Sequence, residues 1–219
     1  MKKCYIFGAL DIATDKSLFL KNDKDIIIAA DKGLSTLEKL GTIPDLIIGD
    51  FDSLGFIPSG NNIIKHPVIK DDTDTMLSVK TALNMGYKYF EIYGCIGGRL
   101  DHTLANIQTA SFIADNNGVA VFYDDKNNTA LTVIKDNSIT FSNECKGKIS
   151  AFSLSDKSTG VTEKGLFYEL ENDTLTNGFP LGVSNEFIGK DAVISVEKGE
   201  LCIIWDNATG SFNVGGNYD

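Results

Sequence analysis

The sequence predicts an α/β fold in which an N-terminal, mostly parallel sheet with flanking helices is followed by a C-terminal antiparallel β-sandwich domain. Three observations carry this expectation. Through the first half, compact apolar runs of strand length alternate with segments of helical period, as in a parallel sheet covered by helices. From about Thr129 the pattern changes to short alternating segments separated by Gly, Asn and Asp turns, which reads as antiparallel β. The polar stretch Asp124–Asn128 between the two is the natural seam. The expected units are therefore an α/β domain over 1–124, a sandwich over 129–206, and a Gly- and Asn-rich tail over 207–219 without regular structure.

In order along the chain, the first-half strands are Tyr5–Phe7, Ile26–Ala30, Leu46–Ile48, Ile63–Ile64, Phe90–Tyr93 and Val119–Tyr123. Leu34–Leu40 and Thr73–Met85 read as helices, the second closed by Gly86 as a C-terminal cap. A third helix covers Asp101–Asp115 and stops at Asn116, Asn117 and Gly118. Second-half strands include Ala130–Ile134, Ser138–Phe141, Lys148–Leu154, Leu166–Leu170 and Ala192–Val196.

A net charge of -10 and a pI near 4.7 argue against a general nucleic-acid surface, which needs clustered Lys and Arg. The four cysteines show no CxxC spacing and mostly sit in apolar runs, so they read as buried free thiols. Asp11 interrupts the first apolar run before it reaches signal-peptide length, and no apolar stretch approaches the roughly 20 residues that span a bilayer. A cytoplasmic protein without a membrane segment is expected, which makes the Asn-x-Thr triplets at Asn127, Asn172 and Asn207 chance matches.

Open parallel sheets bind ligands at the carboxyl ends of their strands, so the residues following each strand matter most. Those residues are Asp31-Lys32-Gly33, Gly49-Asp50-Phe51-Asp52-Ser53, Lys70-Asp71-Asp72-Thr73-Asp74 and Gly97-Gly98-Arg99-Leu100-Asp101-His102. Asp50 and Asp52 lie two apart in an extended segment, point to the same side, and can offer two carboxylates to one hard cation. Asp74 from the neighbouring loop completes a three-carboxylate face suited to Mg²⁺, with water and phosphate oxygens filling its octahedron. Arg99 supplies a planar, bidentate partner for phosphate. Asp72 or Thr73 taken alone reads as a helix cap, and His102 alone as a satisfied histidine in a first helical turn. The sequence contains no GxxxxGK[ST] loop, no GxGxxG fingerprint, no HExxH and no closely spaced Cys/His set. Phosphates must then be held by metal and dispersed loops.

Taken together, Ala30–Gly33, Pro44–Ser53 (PDLIIGDFDS), Lys70–Thr75 (KDDTDT), Gly97–Ile107 (GGRLDHTLANI), Lys164–Leu170 and Gly182–Phe187 (GVSNEF) resemble thiamin pyrophosphokinase. The resemblance spans almost the whole chain, and six motifs in order and spacing make it specific. It implies reaction of thiamin with ATP to give thiamin diphosphate and AMP, Mg²⁺ dependence, and a homodimer. Asp50, Asp52 and Asp74 match the family's metal-binding aspartates. Asp31, Thr73, Arg99, Asp101 and His102 match its nucleotide-facing loops, with Lys32 beside Asp31 where many members carry a small residue. Ser184 and Asn185 match the thiamin-binding segment, which in the family reaches a site shared between subunits. Arg99 is expected to neutralise developing oxygen charge, and Asp71 or Asp74 to accept the hydroxyl proton. Phe167 and Tyr168 stand where some relatives supply a stacking tryptophan, whereas Trp205 reads as core.

Two rivals remain at this level. Another phosphotransferase on the same architecture shares the aspartates but has no reason to carry GVSNEF. A non-catalytic nucleotide sensor would bind ATP without turnover and use its β domain for a protein. A purely structural role leaves the polar loops unexplained.

Overall fold

The computed structural model describes residues 2–12, 21–49, 63–65, 72–206 and 210–215. By Cα proximity the chain divides into two units, residues 1–109 with 120–127, and residues 110–119 with 128–219. The division differs from a single cut in the 124–129 region because 110–119, the end of a helix and its turn, group with the second unit.

The first nine elements are β1 (Lys3–Phe7), β2 (Ile26–Ala30), α1 (Gly33–Lys39), β3 (Leu46–Gly49), β4 (Ile63–Lys65), α2 (Asp74–Asn84), β5 (Tyr89–Tyr93), α3 (Leu100–Asp115) and β6 (Val119–Asp124). Their strands lie in the order β4-β3-β2-β1-β5-β6, and the pairs β1–β2, β1–β5, β2–β3 and β3–β4 are parallel. The sequence Ile26-Ile27-Ile28-Ala29-Ala30 is apolar without alternation because β2 is central, and all five residues are buried. Leu34 and Leu37 of α1 pack against Tyr5, Phe7, Ile27 and Ala29 on one sheet face. Leu37 is fully buried, and truncation to alanine there would cost about 2–5 kcal/mol. Helix α2 begins as its sequence suggests: Thr73 is extended, and its Oγ1 accepts from the Met76 N–H at 3.1 Å. The helix ends at Asn84 with Met85 as its C-cap, followed by Gly86 at φ +80°.

The second unit contains β7 (Thr129–Lys135), β8 (Ser138–Phe141), β9 (Lys148–Ser153), β10 (Ser158–Lys164), β11 (Leu170–Leu175), β12 (Gly182–Glu186), β13 (Ala192–Ser195), β14 (Glu200–Asp206) and β15 (Phe212–Val214). They form two antiparallel arrays, β12-β9-β14-β7 and β11-β10-β13-β8-β15. Aromatic rings join the two arrays: Phe141 of β8 lies edge-on to Trp205 of β14 with ring centroids 5.4 Å apart, and to Phe187 at 5.2 Å. Trp205 is buried at 1% exposure, in keeping with its reading as core. All four cysteines are buried and free.

Two sequence expectations need correction. Residues 166–170 do not form a strand; Leu166 makes one isolated bridge to Phe187, the chain turns, and β11 starts only at Leu170. The alternation of Leu166-Phe167-Tyr168-Glu169-Leu170 imitates a strand, but Gly165 sits at φ +74° and side-chain hydrogen bonds hold the turn open. The expected structureless tail contains β15, whose Phe212 packs against Trp205 and whose backbone pairs with β8.

Candidate active site

In the strand order β4-β3-β2-β1-β5-β6, the chain runs outward from β1 through β4 and then crosses to β5 on the other side. The connections after β1 and β5 therefore diverge, and a crevice opens at their carboxyl ends. A pocket of about 260 Å³ lies there, lined by Leu10, Asp11 and Ile12 after β1, by Gly94 and 96–98 after β5, and by 123–126 at the end of β6. Phe7, Tyr93 and Tyr123, from the ends of β1, β5 and β6, stack in sequence with centroids 5.2 and 4.9 Å apart. Burial and the nearby Glu91 carboxylate push the Tyr93 and Tyr123 hydroxyls well above the usual tyrosine range, so both rings are neutral, and Tyr123 lines the pocket.

Glycines allow the loops to close on one another. A Cβ on Gly8 would lie 2.3 Å from Cys95 Sγ and 2.8 Å from the Gly94 carbonyl, and Gly97, at φ +87°, meets the Asp124 carboxylate in the same way. The Gly8 N–H donates to the Tyr93 carbonyl at 2.8 Å and the Leu10 N–H to the Gly94 carbonyl at 2.9 Å, which fastens the two loops. Asn106, buried on α3, donates to the Cys95 carbonyl at 2.6 Å. The Cys95 thiol contacts Thr75 Oγ1 of α2 at 3.6 Å, and its burial raises its pKa to about 11. The loop that leads to Arg99 is thereby tied to both α2 and α3.

At the start of α3, Arg99 and Asp101 form a two-pronged ion pair, Nε to Oδ1 at 3.1 Å and Nη2 to Oδ2 at 2.6 Å. Both are open to solvent, at 73% and 65% exposure. The contact holds the Asp101 carboxyl below the usual range and raises Arg99. Asp101 Oδ1 also accepts from the His102 N–H at 3.0 Å, so the carboxylate caps the helix as well. His102 is exposed on the first turn of α3.

Asp31 occupies the turn between β2 and α1 with φ 48°, a left-handed conformation that a side chain adopts at a cost. Its N–H donates to the Ile48 carbonyl at 2.9 Å, and a Cβ on Gly49 would sit 3.2 Å from its Cα. The turn therefore abuts the end of β3, where the segment bearing Asp50 and Asp52 begins. Lys32 follows as the exposed N-cap of α1 without a side-chain cap bond. Thr73 is the N-cap of α2 and Asp74 its first residue. Asp50, Asp52 and Asp71 lie outside the described residues. Among the described residues no group of three His, Cys, Asp or Glu side chains converges as a metal site. Of the expected metal set Asp50, Asp52 and Asp74, only Asp74 is among the described residues.

In the second unit, Ser184 and Asn185 are neighbours on the edge strand β12 and face opposite environments. Ser184 is exposed, adopts φ +60°, and sits where the β12–β9 register shifts between Gly182 and Asn185. Its N–H donates to Ser150 Oγ at 3.0 Å. Asn185 is 4% exposed, and its side-chain amide is bonded to Glu163, Tyr168 and Glu186. Phe167 and Tyr168, whose backbone groups bond to Glu186 and Asn185, stand at 62% and 65% exposure.

Sequence reasoning missed the pocket walls Leu10–Ile12 and 123–126. The available signal was positional: in a parallel sheet the connections after β1 and β6 leave from the same edge as the motif-bearing loops.

Family models for "Thiamin pyrophosphokinase, catalytic domain" and "Thiamin pyrophosphokinase, vitamin B1 binding domain" match residues 19–122 and 136–201. The chain is 32% identical over 183 residues to thiamine pyrophosphokinase from Bacillus subtilis, covering 81% of this chain and 85% of that protein. The crystal structure of thiamine pyrophosphokinase from Bacillus subtilis superposes with a TM-score of 0.80 at 26% identity, covering 93% of this chain and 98% of that one. Thiamin pyrophosphokinase from Candida albicans, at 18% identity and a TM-score of 0.74 over 92% of this chain and 88% of that one, shares the fold.

Proposed function

Because this chain belongs to the thiamin pyrophosphokinase family, we propose that its first unit binds ATP with Mg²⁺ and its second unit binds thiamin. The reaction is transfer of diphosphate from ATP to the thiamin hydroxyl, giving thiamin diphosphate and AMP. The observation that carries the division of roles is the crevice between β1 and β5, from which a glycine loop leads directly to Arg99. Leu10, Ile12, Ile96 and Tyr123 give the pocket an apolar wall for a nucleobase, and its glycines let phosphates approach the backbone. Its charged lining is three aspartates and one lysine, Asp11, Asp124, Asp125 and Lys126, a surface that needs a cation to accept a polyphosphate.

Asp74, with Asp50 and Asp52, is the all-oxygen donor set that Mg²⁺ takes, and the bound ion would neutralise phosphate oxygens. The rest falls to the chain. Arg99 exchanges the Asp101 carboxylate for a phosphate and stabilises charge developing on its oxygens. The N-terminus of the 16-residue α3 favours the same anion. Asp31, Lys32, Thr73 and His102 line the approach, and Asp71 or Asp74 accepts the hydroxyl proton. Ser184, displayed at φ +60° by the edge strand β12, meets thiamin. Four buried free thiols fit a reducing, cytoplasmic setting.

A second copy of the chain is the proposed partner for β12. Phe179, Leu181, Val183 and Ile188 are 66%, 47%, 42% and 41% exposed along or beside this edge strand, a surface prone to association unless covered. Among the described residues no helix is long and apolar enough to cross a membrane.

With ATP labelled separately at the β- and γ-phosphorus, both labels should enter the thiamin product equally, with AMP as the nucleotide released. Recovery of ADP with γ-label alone in the product would overturn the reading.

A further inference from the structure

Glu163 of β10 is a carboxylate at 1% exposure whose strand partners in register, Leu170 and Ile194, are apolar. Its Oε2 accepts from Asn185 Nδ2 at 2.8 Å, while Oε1 is buried with no hydrogen-bond partner. Burial raises its pKa, and the Asn185 bond opposes that rise. Such a group costs free energy, so its retention calls for a role.

The role follows from what Asn185 does. An amide offers two hydrogens and two acceptor lone pairs, and Asn185 commits all four to protein groups. Nδ2 donates to Glu163 and to the Tyr168 carbonyl, the latter at 2.6 Å; Oδ1 accepts from the N–H groups of Tyr168 and Glu186, each at 2.9 Å. A flipped amide would set Oδ1 against the Glu163 carboxylate, so Glu163 selects the orientation in which both backbone groups of Tyr168 are clamped. The Phe167 N–H donates to the Glu186 carbonyl at 3.0 Å, and the Gly165 N–H to Glu169 Oε1 at 2.9 Å. The 165–169 turn is thus fixed with its two rings outward, centroids 4.8 Å apart and planes at 79°.

We propose that Glu163 and Asn185 are a positioning pair for the acceptor site: Glu163 orients the Asn185 amide, which holds the 165–169 turn so that Phe167 and Tyr168 present a rigid aromatic surface to a flat, cationic heterocycle. Neither residue touches the substrate. The proposal rests on the reading that the second unit binds thiamin, whose aromatic rings and positive charge suit such a surface.

The test uses the full-length protein with Asn185→Ala, Glu163→Leu and Glu163→Gln. The first two should raise the thiamin KM at least about tenfold while the ATP KM stays within about twofold. Amide exchange at Tyr168 should accelerate about tenfold in the same variants. Glu163→Gln keeps an oxygen facing Asn185 and should stay near wild type in both readouts. If a single variant fails to fold, Glu163→Leu combined with Asn185→Leu removes both buried polar groups and must show the same KM split. Equal increases in both KM values, or unchanged exchange at Tyr168, would overturn the positioning pair. Faster exchange with an unchanged thiamin KM would instead overturn the placement of thiamin in this unit.

Discussion

Arg99 and Asp101 show how a single contact can hold a cation in place without burying it. The pair is bidentate yet exposed, so water and salt screen it, and a phosphate carrying more charge can displace the carboxylate. Arg99→Ala should lower turnover about a hundredfold, and Arg99→Lys should recover only part of the loss because an ammonium lacks the planar fork. Steady-state rates at saturating ATP and thiamin check this; a fully active Arg99→Ala would remove Arg99 from the phosphate site. The residue types at this loop were legible in the sequence, since an arginine after two glycines at a helix start suggests phosphate. Its ion-pair partner was not, because the side-chain geometry of Asp101 is not written in spacing. For Asn185 the motif marked the position, but its burial and the four hydrogen bonds of its amide depend on the 165–169 turn and on Glu163, which no spacing encodes.

Among the elements, α2 depends most visibly on its first turn. Thr73 was readable both as a cap and as a nucleotide contact, and its oxygen does accept from the Met76 N–H. Thr73→Ala should lower stability by about 1 kcal/mol and Thr73→Ser should restore most of it, as measured by denaturant unfolding. An unchanged midpoint in Thr73→Ala would show the cap to be dispensable. The three helices and the first-half strands agree with the apolar periods because each buried face repeats at the spacing of its element. Residues 166–170 misled for a physical reason: the consecutive aromatics Phe167 and Tyr168 are both exposed on a turn, so the usual link between apolar pattern and burial fails there. The tail likewise misled because Phe212 supplies the packing that its Gly- and Asn-rich neighbours lack.

For the whole molecule, strand order opens the crevice in the first unit and leaves β12 as an edge in the second. Val183→Lys should weaken self-association by introducing charge onto the exposed edge of β12, and dilution of that variant should lose activity sooner than dilution of wild type. Sedimentation and activity measured across a dilution series check this; a variant that sediments and reacts as wild type would exclude β12 from the interface. The fold class was open to sequence reading because the period of the apolar pattern changes near Thr129, whereas the crevice depends on strand order, which no local pattern encodes. The buried thiols add a different property. Cys4 and Cys95 lie in the first unit and Cys145 and Cys202 in the second, all out of solvent. Burial also raises every one of their pKa values, which suppresses the reactive thiolate. Each unit therefore carries two silent clocks: a sulfhydryl becomes modifiable only when its own surroundings open, so the order in which the four are consumed by an alkylating reagent records which unit gives way first.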